Sequence, residues 1–252
     1  MSVAFASDYP ALEHAALDAL ERAVEWHGRV VFASSFGAED MVILDLIACA
    51  RLPIATFTLD TGRLPQETHD LIDVARRRYA VPIEVVVPNA ADVEAFVRLN
   101  GPNAFYDSKD LRVECCRIRK AAPLARALAG AGAWVTGLRR EQNVTRAGVD
   151  IDEQDALHGI AKVNPLAHWS HDDVWHYLRA HDVPVNALHA RGYPSIGCEP
   201  CTRAVRPGED LRAGRWWWEQ ADSRECGLHV AHGGRLVPRR EPMIPVTARS
   251  SR

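Results

Sequence analysis

The sequence predicts an α/β fold with a mostly parallel sheet and helices on both faces. Three observations carry this prediction. Short apolar runs alternate with longer amphipathic stretches, which gives a βαβαβ rhythm in the first part of the chain. Small, acidic or glycine residues follow the apolar runs, at the positions where parallel sheets place ligand contacts. The 252 residues suffice for one sizeable domain with its own core, or for one domain plus a tail.

The first part of the chain supplies three predicted strands and four predicted helices. Apolar residues at helical spacing predict a helix over 11–26, and Gly28 ends it. Each later apolar run is followed by a helical stretch, and Pro65 suits the first turn of the second of these stretches. The predicted strands cover 29–33, 53–59 and 82–87, and the helices that follow them cover 38–50, 65–79 and 92–99.

The second part of the chain continues the same alternation. Ser170 is a suitable N-cap for the last predicted helix, and two aspartates occupy the first turn of that helix. An acidic stretch of mixed composition before it predicts a loop. These patterns predict helices over 117–129 and 171–181, strands over 133–137 and 161–166, and a loop over 144–158.

Composition and charge limit the function classes. The formal net charge of −3 argues against broad nucleic-acid binding. No run of about 18 apolar residues is present, so no membrane span is predicted. Residues 1–10 lack a basic segment followed by an apolar stretch, so we predict no signal peptide and a soluble, cytoplasmic protein. In that reducing compartment, the six cysteines favour metal binding or catalysis over disulfides.

Four cysteines form two pairs that are far apart in the sequence. Cys198 and Cys201 stand in a Cys-x-x-Cys turn, which brings two sulfurs close enough for one metal centre. Cys115 and Cys116 are adjacent, and a disulfide between neighbours would strain the bond geometry. Two neighbouring thiolates suit a multi-iron cluster, because each can bind a different iron. Tetrahedral zinc and inert or redox-active cysteines remain alternatives, and Cys49 is predicted to belong to the core.

Three loops are candidates for binding an anionic ligand. Residues 34–37 lead into a helix N-terminus, where backbone N–H groups attract anions, although a plain β–α turn is the alternative. Residues 60–63 follow a strand end, where parallel sheets place ligand contacts. Arg139 and Arg140 follow another strand and suit phosphate or sulfate, with a solvated basic turn as the alternative.

The sixth cysteine, Cys226, is a candidate nucleophile. Arg224 precedes it and His229 follows it, and nearby cations raise the thiolate fraction of a cysteine.

The five histidines between positions 168 and 189 lack a recognised metal spacing, so we predict that they lie at the surface or pack against other side chains. Three consecutive tryptophans at 216–218 predict a helix that buries one or two of them, with a partner-docking face as the alternative.

Several motifs in order resemble those of the assimilatory adenylyl-sulfate reductases, the iron–sulfur type within the phosphoadenylyl-sulfate reductase family. The similarity runs from Ser34 to His229, with motifs at 115–120, 138–142, 192–203 and 225–229. The resemblance implies an adenine-nucleotide α-hydrolase-like fold and a 4Fe–4S cluster. It also implies reduction of adenylyl sulfate to sulfite and AMP, with thioredoxin as the reducing partner, in sulfate assimilation and cysteine biosynthesis.

The same resemblance implies roles for individual residues. It makes Cys226 the nucleophile, and it divides the chain into a nucleotide-binding domain with the cluster over 1–210 and a flexible catalytic segment and tail over 211–252. The implied cluster ligands are Cys115, Cys116, Cys198 and Cys201. The implied substrate-binding residues are Ser34, Ser35, Phe36, Gly37, Asp60, Thr61, Gly62, Arg63, Lys120, Arg139, Arg140, Arg212, Arg215 and His229.

Two departures from the family pattern and two alternative functions remain. Asn143 stands where the family often has Ser, and Ser223-Arg224 stands where Lys-Thr is common. Reduction of 3′-phosphorylated adenylyl sulfate is the nearest alternative, although reductases of that kind usually lack the four cluster cysteines. A zinc-stabilised nucleotide-binding protein is the alternative from another class. Formation of a homo-oligomer is left open by the sequence.

Overall fold

The computed structural model describes residues 9–142 and 146–219, which fold around one six-stranded sheet. The strands are β1 (Val30–Ala33), β2 (Ala55–Leu59), β3 (Ile83–Val86), β4 (Ala133–Val135), β5 (Asp152–Asp155) and β6 (Ile160–Val163). They stand in the order β3-β2-β1-β4-β6-β5. Every neighbouring pair is parallel except β5 with β6, so the predicted mostly parallel sheet is confirmed.

Seven α-helices occur among the described residues, and all but one of the predicted helices agree with them to within a few residues. The exception is the helix predicted directly after the two adjacent cysteines, which is interrupted by a π-helical turn, Arg117–Ala121. A π-turn inserts an extra residue into a helix and is frequent at functional sites. The helices are α1 (Tyr9–His27), α2 (Ala38–Cys49), α3 (Gln66–Tyr79), α4 (Ala90–Asn100), α5 (Lys109–Cys116), α6 (Ala122–Ala127) and α7 (His171–Ala180).

Helices cover both faces of the sheet, as predicted. On β1, Val30 and Phe32 belong to one hydrophobic core, which residues of α1, α2, α3 and α7 complete. Val31 belongs to a second core, together with Leu124 of α6. Successive side chains of a strand point to opposite faces, so β1 is buried on both sides and forms the centre of the fold.

Three local features differ from the predictions. Residues 152–155 form β5 inside the predicted loop, because their backbone pairs with β6 although most of their side chains are charged. Cys49 was predicted to be core and is exposed, because it is the last residue of α2, where the helix reaches the surface. Residues 216–218 form a turn instead of a helix, and this turn buries Trp216.

Among the described helices, none is long and apolar enough to cross a membrane.

The segment 211–219 packs against the second cysteine pair. The backbone N–H of Trp216 donates to the Cys201 carbonyl over 3.1 Å, and the N–H of Arg203 donates to the Gly214 carbonyl over 3.0 Å. The predicted catalytic segment thus begins with residues that pack on the preceding fold, and the division at residue 210 stays a prediction. Cys226 and His229 lie beyond Glu219, outside the described residues.

Candidate active site

A cavity lies where the parallel strands of the described chain end. Its volume is about 260 Å³, and the loops after β1, β2 and β4 all line it. In the strand order, β2 lies next to β1 on one side and β4 lies next to β1 on the other. The chain leaves β1 towards β2 and returns later to β4, so a topological switch point falls between β1 and β4. Open parallel sheets bind their ligands at such a point. We call this space the nucleotide cavity.

The loop after β1 is shaped by Asp40. The carboxylate of Asp40 accepts hydrogen bonds from the backbone N–H and the hydroxyl of Ser35, each over 2.6 Å. Burial raises the pKa of Asp40 to about 6, although the bonds from Ser35 oppose this shift. Phe36 adopts a left-handed conformation, with φ of 59°, and is buried. Ser35 and Gly37 line the nucleotide cavity. Ser34 and Phe36 are buried and pack within the protein instead.

The loop after β2 connects the nucleotide cavity with the cysteines. Asp60 accepts a hydrogen bond from the Gly62 N–H over 2.8 Å and thereby forms the turn. Thr61 lines the cavity, and its hydroxyl oxygen lies 3.2 Å from the Cys198 sulfur. Arg63 points elsewhere: its guanidinium lies 4.9 Å from the centre of the Phe105 ring. Of the four residues predicted in this loop, only Thr61 lines the nucleotide cavity.

The two arginines of the loop after β4 separate. Arg139 is buried, lines the cavity, and pairs with Glu39 over 2.8 Å and with Glu141 over 3.1 Å. Arg140 lies outside the cavity, pairs with Asp150 and donates to the Val149 carbonyl. Because both carboxylates beside Arg139 compensate its charge, we assign it to shaping the cavity wall. Only Arg139 of the two lines the nucleotide cavity, and the binding of phosphate or sulfate by this pair stays a prediction.

Three of the predicted substrate-binding cations line the nucleotide cavity besides Arg139: Lys120, Arg212 and Arg215. Lys120 lies on the π-turn and also lines the cavity around the cysteines. Arg215 is buried, donates to the Ile196 carbonyl over 3.1 Å, and lies against Gly197, where an added Cβ would come within 2.2 Å of its guanidinium. Arg215 stands in a polar stretch of the sequence, with Arg212 close before it, and such a stretch gives no sign that its side chain is buried.

Arg212 and Arg215 are expected to differ when each is replaced by alanine. Losing a charge-assisted hydrogen bond costs about 1.5–3 kcal/mol, so each variant is expected to lose more than about tenfold in kcat/KM. Arg212→Ala is expected to leave Tm unchanged because that side chain is half-exposed, whereas Arg215→Ala is expected to lower Tm because the buried guanidinium supports its loop. Steady-state kinetics and thermal unfolding measure the two effects. An unchanged Tm for Arg215→Ala would contradict its structural role.

The four predicted ligand cysteines are buried around one small second cavity, which we call the cysteine cavity. The first pair ends α5, and the second pair flanks a short turn that is held by a 2.8 Å bond from the Glu199 N–H to the Arg63 carbonyl. Among the described residues, no group of three or more His, Cys, Asp or Glu side chains is arranged to hold a single metal ion. Among the described residues, this cavity is lined by four cations and by no carboxylate; the cations are Arg63, Arg112, Arg119 and Lys120.

The two cysteines of the second pair differ in their electrostatic surroundings. Burial raises the pKa of Cys201 to about 12, and the negative charge of Cys198 adds to this rise. Burial acts on Cys198 in the same direction, but Lys120, the Thr61 hydroxyl and Arg215 outweigh it and lower the pKa of Cys198 overall. Four thiols with neighbouring cations and no oxygen ligand suit a group that binds thiolates, such as zinc or an iron–sulfur cluster.

Several cavity residues were not found by the sequence analysis. His171 and His189 were predicted to lie at the surface or pack, and both line the nucleotide cavity. The Nδ1 atom of His189 lies 2.9 Å from the Tyr193 carbonyl, and its ring packs edge-to-face on Trp175. Arg146, which also lines the cavity, fell inside the predicted loop at 144–158. Its nearness to the Arg139–Gln142 turn was the available signal.

Comparisons with known proteins agree with this geometry. Residues 29–204 match the family described as phosphoadenosine phosphosulfate reductase domain. A relative from Burkholderia cepacia named adenosine 5′-phosphosulfate reductase is 60% identical over 85% of this chain and 86% of its own length.

Two solved structures share the fold. A phosphoadenylyl-sulfate reductase from Candida auris, in a phosphate complex, has a TM-score of 0.66 and 26% identity, covering 81% of this chain and 100% of its own. A Candida glabrata FMN adenylyltransferase in complex with FMN and an ATP analogue has a TM-score of 0.52 and 16% identity, covering 86% and 76%. The expected adenine-nucleotide α-hydrolase-like fold is thereby confirmed.

Proposed function

Because the chain belongs to the phosphoadenosine phosphosulfate reductase domain family, we propose that it reduces adenylyl sulfate to sulfite and AMP in sulfate assimilation. The observation that carries this proposal is the position of three cations. Lys120, Arg212 and Arg215 line a cavity at the carboxyl edge of the sheet, together with the loops that follow β1, β2 and β4. A nucleotide that carries a doubly anionic phosphate–sulfate group fits a cavity lined by these cations.

The reaction begins with the Cys226 thiolate, which attacks the sulfur of the sulfonate group. The bond between this sulfur and the bridging oxygen breaks, and its electron pair leaves with AMP. Cys226 then carries the sulfonate. One thiolate of a reduced dithiol partner, thioredoxin in our proposal, attacks the Cys226 sulfur, so that sulfite leaves with the electron pair of the S–S bond. The second thiolate of thioredoxin closes its disulfide and restores Cys226.

The cations of the nucleotide cavity make the first step feasible. A thiolate attacks an anionic substrate, so both charges must be screened, and negative charge grows on the phosphate as the bond breaks. Lys120, Arg212 and Arg215 line this cavity. Charges that are already positioned where negative charge develops stabilise a transition state most effectively. Arg215 is fixed by its bond to the Ile196 carbonyl.

The cysteine cavity is proposed to hold a 4Fe–4S cluster. Cys115, Cys116, Cys198 and Cys201 would each bind one iron, and their shared cavity without oxygen ligands fits this group. When bound, the cluster supplies charge beside the substrate, and the proposed reaction needs no electron from it. Lys120 lines both cavities. We propose that its charge interacts with the cluster on one side and with the substrate on the other.

The proposal is tested by sulfite release from two nucleotides with reduced thioredoxin in excess. We expect kcat/KM to be higher for adenylyl sulfate than for its 3′-phosphorylated form, because the four cysteines are typical of the first kind of reductase. The second candidate function, reduction of the 3′-phosphorylated form, is favoured by the name of the Candida auris structure. Comparable values of kcat/KM for the two nucleotides would contradict the preference, and no sulfite from either would contradict the function.

A further inference from the structure

The indole ring of Trp216 is in contact with two arginines that belong to different cavities. The guanidinium carbon of Arg112 lies 4.8 Å from the ring centre, and that of Arg215 lies 4.7 Å from it. Arg112 lines the cysteine cavity, whereas Arg215 lines the nucleotide cavity. Trp216 itself is buried, with an exposed fraction of 1%. Arg112, Trp216 and Arg215 thus form a chain of contacts that joins the two cavities.

Arg112 is held on this ring by a buried ion pair. Its Nε donates to one oxygen of Glu219 over 2.7 Å, and its Nη2 donates to the other over 2.8 Å. The exposed fraction is 1% for the Arg112 side chain and 8% for that of Glu219. A two-point bond of this kind fixes the plane of a guanidinium group, which a lysine ammonium cannot reproduce. The orientation of Arg112 against Trp216 is therefore determined by Glu219.

The same turn determines where Arg215 points. Arg215 and Trp216 are adjacent in the chain, and the N–H of Trp216 is bonded to the Cys201 carbonyl. A shift of the indole ring therefore moves the surface against which the Arg215 guanidinium packs. Gly197 also packs against this guanidinium, which fills the space that a Cβ of residue 197 would need. Arg215 has little freedom to compensate for a displaced ring.

Building on the proposed function, we propose that Arg112 is a positioning residue for substrate binding. It holds the Trp216 ring, and the ring holds Arg215 against the anionic end of adenylyl sulfate. The helix that carries the first cysteine pair also carries Arg112, so the packing of the cysteine cavity contributes to the affinity for substrate. The proposed effect of Arg112 on the substrate passes through Arg215. Arg112 also interacts with the thiol of Cys116, and against the effect of burial, Glu219 and this thiol raise the pKa of Arg112.

The test is a double-mutant cycle on the Kd of adenylyl sulfate, measured by calorimetry in a Cys226→Ser background without reductant. Arg112→Lys keeps the charge but loses the two-point bond and the flat stacking, and we expect it to raise Kd at least about fivefold. In an Arg215→Lys background the same change is expected to alter Kd less than about twofold, because Arg112 then has no guanidinium left to position.

A matched control lies one turn further along the chain. Arg117 forms an equally short two-point bond with Glu114, but the Arg117 side chain is 56% exposed. Arg117→Lys is expected to change Kd less than about twofold in either background. If Arg112→Lys lowers Tm strongly, Glu219→Gln replaces it in the cycle, because the amide keeps the shape but weakens the pair.

Two results would overturn the positioning role: an unchanged Kd for Arg112→Lys, or an equal loss of affinity with and without Arg215. Binding that follows the cycle without sulfite release by the wild type would contradict the proposed function alone. A wild type that binds no adenylyl sulfate would contradict both.

Discussion

Cys226→Ser protein is expected to bind adenylyl sulfate and to release no sulfite. The serine hydroxyl is almost wholly protonated near neutral pH and is a far weaker nucleophile toward sulfur than a thiolate. Wild-type protein mixed with adenylyl sulfate in the absence of thioredoxin is expected to stop after the first step. It should release one AMP per active site and gain the mass of one sulfonate on the peptide that contains Cys226. Rapid quenching with mass spectrometry measures both quantities.

Cys49 provides the control for this experiment. Cys49 is an exposed residue at the end of α2. Partial loss of water around its sulfur, together with the negative charge of Asp45, raises the pKa of the thiol. Cys49→Ser is expected to retain wild-type sulfite release and sulfonate gain. Sulfite release near the wild-type rate from Cys226→Ser, or sulfonate found on the Cys49 peptide, would show that Cys226 is not the nucleophile.

Anaerobically purified protein is expected to be brown and to contain equal amounts of iron and acid-labile sulfide, about four of each per chain. Cys198→Ala is expected to lose most of both, because its thiol has the lowered pKa of the second pair and is surrounded by Lys120, Thr61 and Arg215. Metal analysis, sulfide analysis and the visible absorption spectrum measure the effect. Cys49→Ala is the matched control and is expected to keep the full content.

Zinc in place of iron, with no sulfide, would contradict the cluster and favour the zinc alternative. Thermal unfolding, measured alongside the iron content, separates loss of the cluster from loss of the fold. Removal of a thiolate-bound metal group destabilises a protein that was folded around it. A Cys198→Ala protein with unchanged Tm and no iron would show that the cysteine cavity is packed without the cluster.

The sheet was predictable because its strands carry a local signal. Val30, Val31 and Phe32 form a short apolar run, and such runs are typical of strands buried on both faces. The residues of β5 carry no such signal, because three of the four are acidic. Their extended conformation comes from backbone pairing with β6, and no periodicity within the segment reports that contact. A strand that forms only through backbone pairing with another strand, as β5 does with β6, is therefore not predictable from its own residues.

The site was predictable as motifs but not as contacts. The motif that contains Arg139 and Arg140 was recognised, yet the structure buries one with Glu39 and turns the other towards Asp150. The side chains of adjacent loop residues can point in different directions, so the sequence alone does not show which of the two arginines lines the cavity. The burial of Arg215 was missed for a related reason. A guanidinium stacked on Trp216 is shielded by an aromatic ring, and a polar stretch in the sequence conceals this arrangement.

The acidic edge strand has a consequence for assembly. Asp152, Glu153 and Asp155 stand on β5, at one border of the sheet. An open border invites another chain to add a strand, and charged side chains along it are a common protection against that event. Glu153 and Asp155 are already paired within the chain, with Lys162 and His158, and Asp152 lies 3.6 Å from Arg22. The four residues of β5 therefore offer only polar side chains, most of them already paired, to a strand of a second copy. A homo-oligomer of this protein is therefore expected to form through another surface, and the sheet is expected to end at β5 in every copy.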